Sequence, residues 1–276
     1  MPPVEKIKAT VTILTYHSAK TLEACLKSVQ SFDEILVVDG GSTDETTAIA
    51  VRFGARVIPQ SDAPGPINDF SAVRERSFQE AKHNWILWLD SDEWADEKLL
   101  ESIREVMRRP ADKTIYAADR VPIVDGKEIR YAYFLPDRVL RFVDRRWAHW
   151  VKGKKVHERL AADAAVRVEH IAGSIFTPWA SLADYKIKDR YYLSLAFSRP
   201  MERRPPLFAI ARAVIKNALQ AVGILCQAVS LSLRYGKSGA VLPWRYHVRF
   251  AAYHALVARE RIRQFVYGKQ YVPPSR

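Results

Sequence analysis

The chain has 276 residues, 48% of them hydrophobic and 27% charged, an ordinary globular composition sufficient for one large domain or a domain with an appendage. Its two cysteines, Cys25 and Cys226, exclude a disulfide framework and a cysteine-based metal site. A formal charge of +12 implies an acidic partner: nucleic acid, anionic lipid or a phosphorylated substrate.

The first residues, MPPVEKIKA, lack the apolar core of a secretory signal, which predicts a cytoplasmic protein in a reducing compartment. Residues 11–14 form a first expected strand. A helix follows over about 19–31, with Leu22, Cys25, Leu26 and Val29 on one face. Residues 35–38 are a second strand. Ser42 and Glu45 have capping-box spacing, and the helix they open ends before Gly54. Residues 56–58 are a third strand, and a helix over about 69–82 carries Phe70, Val73, Phe78 and Ala81 on one face. The run WILWL at 85–89 has the character of a strand buried on both faces. A helix over 97–108 follows, with Asp92 or Asp96 as its cap. Beyond it, VPIVDGKEIRY predicts a hairpin with an Asp-Gly turn. Repeated strand–helix alternation predicts an α/β fold, a largely parallel sheet with helices on both faces, over residues 1–198.

The ends of these strands carry the chemistry. Thr15 and Tyr16 end the first, Asp39 the second, Gln60 to Asp62 the third, and Asp90 and Asp92 the fourth. Ligands of open parallel sheets bind outside the carboxyl ends of the strands. Asp90 and Asp92 are two apart, so on an extended chain both carboxylates point the same way. Such a pair can hold Mg²⁺ together with substrate phosphates. Asp39 is placed either to accept hydrogen bonds from a base or ribose or to serve as a turn aspartate ahead of Gly40 and Gly41. No G-x-G-x-x-G occurs, so the usual dinucleotide cradle is absent.

VTILTY, VVDGGSTDET and WILWLDSDE, in this order and spacing, resemble the family 2 inverting glycosyltransferases with the GT-A fold. The likeness runs over about residues 8–195. Val-His-Glu at 156–158 brings it nearest to the bacterial lipopolysaccharide-core glucosyltransferases. The resemblance implies a nucleotide-diphosphate sugar donor and a divalent cation, Mg²⁺ or Mn²⁺. Asp39 would contact the nucleoside, with Thr15 and Tyr16 lining its pocket. Asp90 and Asp92 would hold the metal and diphosphate. Arg74 and Arg76 either neutralise phosphate oxygens or form a solvated helix face. His157 either ligates the metal, donates to the diphosphate or is structural, with His170 a weaker candidate. For the general base, Glu158 ranks first, with Asp137 and Glu93 behind it. Processive synthases resembling this family carry Gln-x-x-Arg-Trp. Here the Arg146-Trp147 pair has Val143 where glutamine would stand, which favours addition of one sugar to a lipid-linked or glycolipid acceptor.

Residues 199–276 carry Lys and Arg throughout but only two acidic side chains, Glu202 and Glu260, and form an expected second, helical region. At about 100° per residue, Arg212, Lys216, Gln220, Gln227, Ser230 and Arg234 fall in one sector of a helix over 207–235. That pattern predicts a basic amphipathic helix, too polar to span a bilayer, that either lies on the anionic cytoplasmic face of a membrane or packs against protein. Two other functions compete. A sugar nucleotidyltransferase would want a glycine-rich basic loop where TYHSAKT stands. A non-catalytic lipid or nucleic-acid binder has no use for acids at four strand ends, which repel phosphates without a metal, so nucleic acid is not an expected partner.

Overall fold

The computed structural model describes residues 5–61, 64–66, 69–110, 113–151, 160–162, 165–197, 205–268 and 271. Two compact units divide the chain: Met1–Val121 with Pro136–Pro178, and Pro122–Leu135 with Trp179–Arg276.

In the first unit, β1 (Ile7–Thr15), β2 (Phe32–Asp39), β3 (Arg56–Pro59) and β4 (Trp85–Asp90) are joined through α1 (Leu22–Ser28), α2 (Thr46–Arg52) and α3 (Phe70–Glu80). Along the chain then come β5 (Trp94–Ala95), α4 (Glu97–Arg108), β6 (Thr114–Val124), whose last residues belong to the second unit, β7 (Lys127–Glu128) of the second unit, and, back in the first, β8 (Asp137–Asp144), β9 (Ala148–Trp150), β10 (Leu160–Ala162) and β11 (Arg167–Pro178). The main sheet runs β3-β2-β1-β4-β8-β6-β11-β5, with β9 and β10 forming a separate pair. β1 to β4 pair in parallel, whereas β8 joins β4 and β6 antiparallel. The sheet is therefore mixed, with the parallel half at the N-terminus as the strand–helix alternation predicts.

Alternation along the strands sorts the core into two layers. Val11, Ile13, Ile35, Val37, Leu87 and Leu89 face a layer containing Leu22 and Leu26 of α1, Ile49 of α2 and Leu99 and Ile103 of α4. The intervening Leu14, Leu36 and Val38 meet Val73 of α3, and Ile86 and Trp88 meet Phe78. Helices thus cover both faces, which is why WILWL has no polar side: each of its residues is in one core or the other.

α1 and α3 are shorter than their apolar periodicity predicts, α1 above all, whereas α4 spans the expected 97–108. Ser42 and Glu45 do not make a capping box either: α2 begins at Thr46 with Glu45 as an N-cap that makes no side-chain bond. Asp96, not Asp92, caps α4. Its Oδ1 accepts from Leu99 N at 2.8 Å and also from Ser174 N at 3.0 Å, so one carboxylate ties α4 to β11.

The second unit holds the predicted hairpin, whose Asp125 (φ 51) and Gly126 (φ 74) both adopt the left-handed backbone of a type I′ turn. It also holds α5 (Leu182–Phe197), α6 (Leu207–Tyr235) and α7 (Trp244–Tyr267). Arg249 of α7 pairs with Asp189 of α5 and stacks 4.2 Å from the Tyr185 ring. The boundary expected at 198/199 therefore falls inside this unit, because α5 packs with the later helices. By length and composition the helix from Leu207 is apolar enough to cross a membrane, with an 18-residue stretch of mean hydropathy 1.4. That corrects the expectation that it is too polar: residues 217–233, between Lys216 and Arg234, carry no charge.

Gly173 gives the fold a direct test. Its φ is +106, and a Cβ there would lie 2.2 Å from the Leu99 backbone nitrogen. Gly173→Ala should cost roughly 2–5 kcal/mol through strain and overpacking together. Gly126→Ala, left-handed but facing open space, should cost only about 1–2 kcal/mol. Urea melts of the two variants check the order.

Candidate active site

Strand register assembles the candidate site. Thr15 lies opposite Asp39, Leu14 opposite Asp90, and Asp39 opposite Pro59, so the polar ends of β1 to β4 share one edge. Asp39 is only 5% exposed, and its carboxylate is saturated by protein. Oδ1 accepts from Thr15 Oγ1 at 2.8 Å and Ser42 Oγ at 2.6 Å. Oδ2 accepts from Gly41 N at 2.9 Å and Ser42 N at 2.7 Å. Asp39 is therefore the turn aspartate of β2, and Thr15 is its partner rather than an open pocket wall.

The turn in turn fixes the loop after β1. His17 N donates to Ser42 Oγ at 2.9 Å, Ser18 N to Thr46 Oγ1 at 2.7 Å and Ala19 N to Asp44 Oδ2 at 3.2 Å. Tyr16 is left partly exposed beside Gly40, where a Cβ would lie 2.9 Å from the tyrosine ring and 2.7 Å from the Gly65 carbonyl oxygen. Only glycine lets these two loops approach so closely.

At the end of β4 four charged side chains interlock. Arg74 Nη2, from α3, donates to Asp90 Oδ1 at 2.6 Å. Arg141 Nη2, from β8, donates to Glu93 Oε1 at 2.7 Å and lies 3.6 Å from Asp90 Oδ2. Glu93 Oε2 accepts from Asp90 N at 3.0 Å. Burial pushes the Asp90 carboxyl up, but the Arg74 and Arg141 guanidiniums outweigh it and hold the group below its usual range. Glu93 is 1% exposed; there burial wins over Arg141, the Asp90 charge adds to it, and the carboxyl is raised. Beneath them Cys25 Sγ donates to the Asp90 carbonyl at 3.7 Å, and burial raises that thiol well above its usual range, with the nearby carboxylates adding to the effect.

The other predicted residues divide. Asp92 is exposed in the turn after β4, two residues beyond Asp90, whose side chain is 43% exposed. Arg76 Nη1 donates to the Gln60 carbonyl at 3.1 Å, tying α3 to the end of β3. Asp137 Oδ2 accepts from Arg120 Nε and Nη2 at 2.9 and 2.8 Å, leaving Oδ1 outside that pair. His170 Nε2 pairs with Asp119 at 2.9 Å across β11 and β6. Glu93, a predicted base, is corrected: it is sealed from solvent with both oxygens bonded, so it cannot reach an acceptor hydroxyl. His157, Glu158 and Asp62 lie outside the described residues.

Arg141 and Arg120 escaped the sequence reading. Arg141 stands between Leu140 and Phe142, and a cation within an apolar strand signals a buried carboxylate partner.

Among the described residues no three His, Cys, Asp or Glu side chains converge as a metal cage. The donor set instead fits a cation that arrives with a polyanion: one exposed carboxylate and one half-exposed, too few to hold it without phosphate oxygens.

The glycosyl transferase family 2 profile matches residues 10–167, more than half of the chain. The chain belongs to glycosyl transferase family 2. It is therefore a glycosyltransferase, and the family read from the three sequence motifs is borne out. It is 37% identical over 100 residues to a TPR repeat-containing protein of Synechococcus elongatus, covering 36% of this chain but only 23% of that one. Its likeness to the lipopolysaccharide core biosynthesis glycosyltransferase LpsC of Rhizobium meliloti is 20% over 270 residues, across 94% of this chain and 97% of the other. Residues 1–349 of TarS from S. aureus, solved with UDP, are 15% identical with a TM-score of 0.47 over 94% of this chain and 83% of that one. So loose a structural likeness adds nothing to the family assignment.

The charge cluster predicts a pH-dependent variant. Arg141→Met removes the cation from a buried carboxylate and should cost about 3–5 kcal/mol near neutral pH. Without Arg141, Glu93 is raised further. A raised folded-state carboxyl contributes stability below its unfolded value, 4.5 for Glu93, and loses it as pH rises. The deficit should thus be larger in mildly alkaline than in mildly acidic buffer, measured by urea unfolding at both.

Proposed function

We propose that the chain moves one sugar from a nucleotide-diphosphate sugar to a hydroxyl of a lipid-linked or lipopolysaccharide-core acceptor, with inversion and with the help of Mg²⁺ or Mn²⁺. The observation that carries this reading is the half-exposed Asp90 carboxylate, flanked by Asp92 and by two guanidiniums at the edge where four parallel strands end. Bare carboxylates repel a diphosphate, so a donor seated there needs a cation between them. Asp90 and Asp92 would hold that cation, and when bound it offsets the charge that develops on the leaving diphosphate.

Chain residues account for the rest. Arg74 fixes Asp90, and Arg141 adds positive charge beside it. Tyr16, exposed beside the Asp39 turn, offers a ring face to a nucleoside base. Asp39 acts through that turn rather than through a free oxygen. Inversion is a single displacement. A base takes the acceptor hydroxyl proton as its oxygen bonds to the anomeric carbon, and the bond to the diphosphate breaks with its electron pair leaving on the diphosphate. Glu158 and Asp137 remain the candidates for that base. The acceptor class is supported by LpsC, whose name places it in lipopolysaccharide core biosynthesis and which matches this chain nearly end to end.

A panel of nucleoside-diphosphate sugars, assayed for release of free nucleotide with chelator and then with Mg²⁺ or Mn²⁺ restored, tests the reading. Asp92→Asn should lower turnover by roughly 10²-fold or more. Near-wild-type turnover at saturating donor would remove Asp92 from the site.

The base is tested separately. Glu158→Gln should lower kcat by about 10²–10⁴-fold with donor binding intact. The same pattern in Asp137→Asn, without it in Glu158→Gln, would reverse the ranking.

A further inference from the structure

The surface of α6 divides into three sectors at about 100° per residue. One is a seam on α7: Ile210, Ile224 and Ala228 are buried, Asn217 Oδ1 meets His254 Nδ1 at 3.0 Å, and Val214 and Ala221 face Ala255 and Ala258 across a narrow groove. The second is the polar sector of Arg212, Lys216 and Arg234 with Gln220, Gln227 and Ser230, all exposed. The third is wholly apolar and open: Phe208, Ile215, Leu219, Val222, Val229 and Leu233. It runs for roughly 38 Å at the α-helical rise. Folded soluble chains rarely leave so long an apolar stripe uncovered.

We infer that this open apolar sector of α6 seats the second unit on an anionic lipid bilayer, with the helix axis in the plane of the interface. Charge selects the occupant. The apolar stripe is bordered by cations, and α6 contains no Asp or Glu. A second copy on the same stripe would bring Arg212, Lys216 and Arg234 against one another with no carboxylate on either helix. Anionic headgroups answer those cations while acyl chains take up the apolar side chains. The seam excludes a spanning arrangement despite the apolar composition. Arg259 and Arg263 of α7 line the same groove against α6, and Glu260 is buried among them. Carrying α6 through hydrocarbon would carry those charges with it or strip the seam. The inference is independent of the transferase chemistry.

Co-sedimentation of the full chain with vesicles of phosphatidylglycerol and phosphatidylcholine, and with pure phosphatidylcholine, tests it at low and high salt. The wild type should bind the anionic vesicles, at roughly fivefold in affinity per engaged cation, and keep a salt-resistant residue of binding. Leu219 and Leu233 are 68% and 84% exposed, so Leu219→Glu with Leu233→Glu should abolish binding while leaving circular dichroism and the urea midpoint unchanged. Arg212→Gln with Lys216→Gln should cut the anionic preference by about 25-fold but keep the residue; it decides the matter should the glutamate variant unfold. Wild type that stays in the supernatant beside anionic vesicles at low salt overturns the inference. So does vesicle binding that neither variant alters, or an oligomer in light scattering that the glutamate variant dissolves, which would assign the stripe to a second copy.

Discussion

The edge of the sheet depends on how the Asp90 carboxylate at the end of β4 is kept ionised where water is scarce. Asp90 ends an otherwise apolar strand, and Glu93 is folded back beneath it. Left alone, two acids in that setting would share a proton. Arg74 arrives from the helix before β4 and Arg141 from the antiparallel strand beside it. The mixed sheet is thus more than an accident of topology. Without β8 pairing against β4, no cation would stand on that side, and the strand end could not keep a charged carboxylate facing outward.

A second constraint is the approach of two loops. Asp39 uses all its acceptor capacity on Thr15, Gly41 and Ser42, and Ser42 passes the constraint to His17. A family 2 glycosyltransferase needs its donor held in one orientation, and rigid loops supply this better than a direct but mobile contact. The aspartate is preorganising rather than exposed, which separates it from Asp92 a few ångströms' worth of chain beyond Asp90.

Much of this was legible because periodicity is a local property. The strand ends at Thr15, Asp39 and Asp90 follow from apolar runs that stop at a polar residue, and parallel pairing of alternating strands then gathers those ends. Arg141 and the fate of Glu93 were not legible, since both depend on which strand lies beside β4, and antiparallel β8 comes some fifty residues later in the chain. The capping-box spacing of Ser42 and Glu45 misled for a related reason. Asp39 and His17 claim the Ser42 hydroxyl from outside the helix, and a tertiary partner outcompetes a local one. The polar sector of α6 was visible in its heptad-like spacing, whereas the division of the remainder into a covered seam and an open stripe required α7.

The two cysteines differ in a way that follows from the cluster at β4. The thiolate is the nucleophile. Cys25, buried against the Asp90 carbonyl and ringed by carboxylates, has almost no thiolate at neutral pH. Cys226 is exposed, on the open side of α6. The native chain is therefore a single-thiol protein toward maleimides and spin labels, and a fluorophore or nitroxide can be attached at one defined position without replacing any residue.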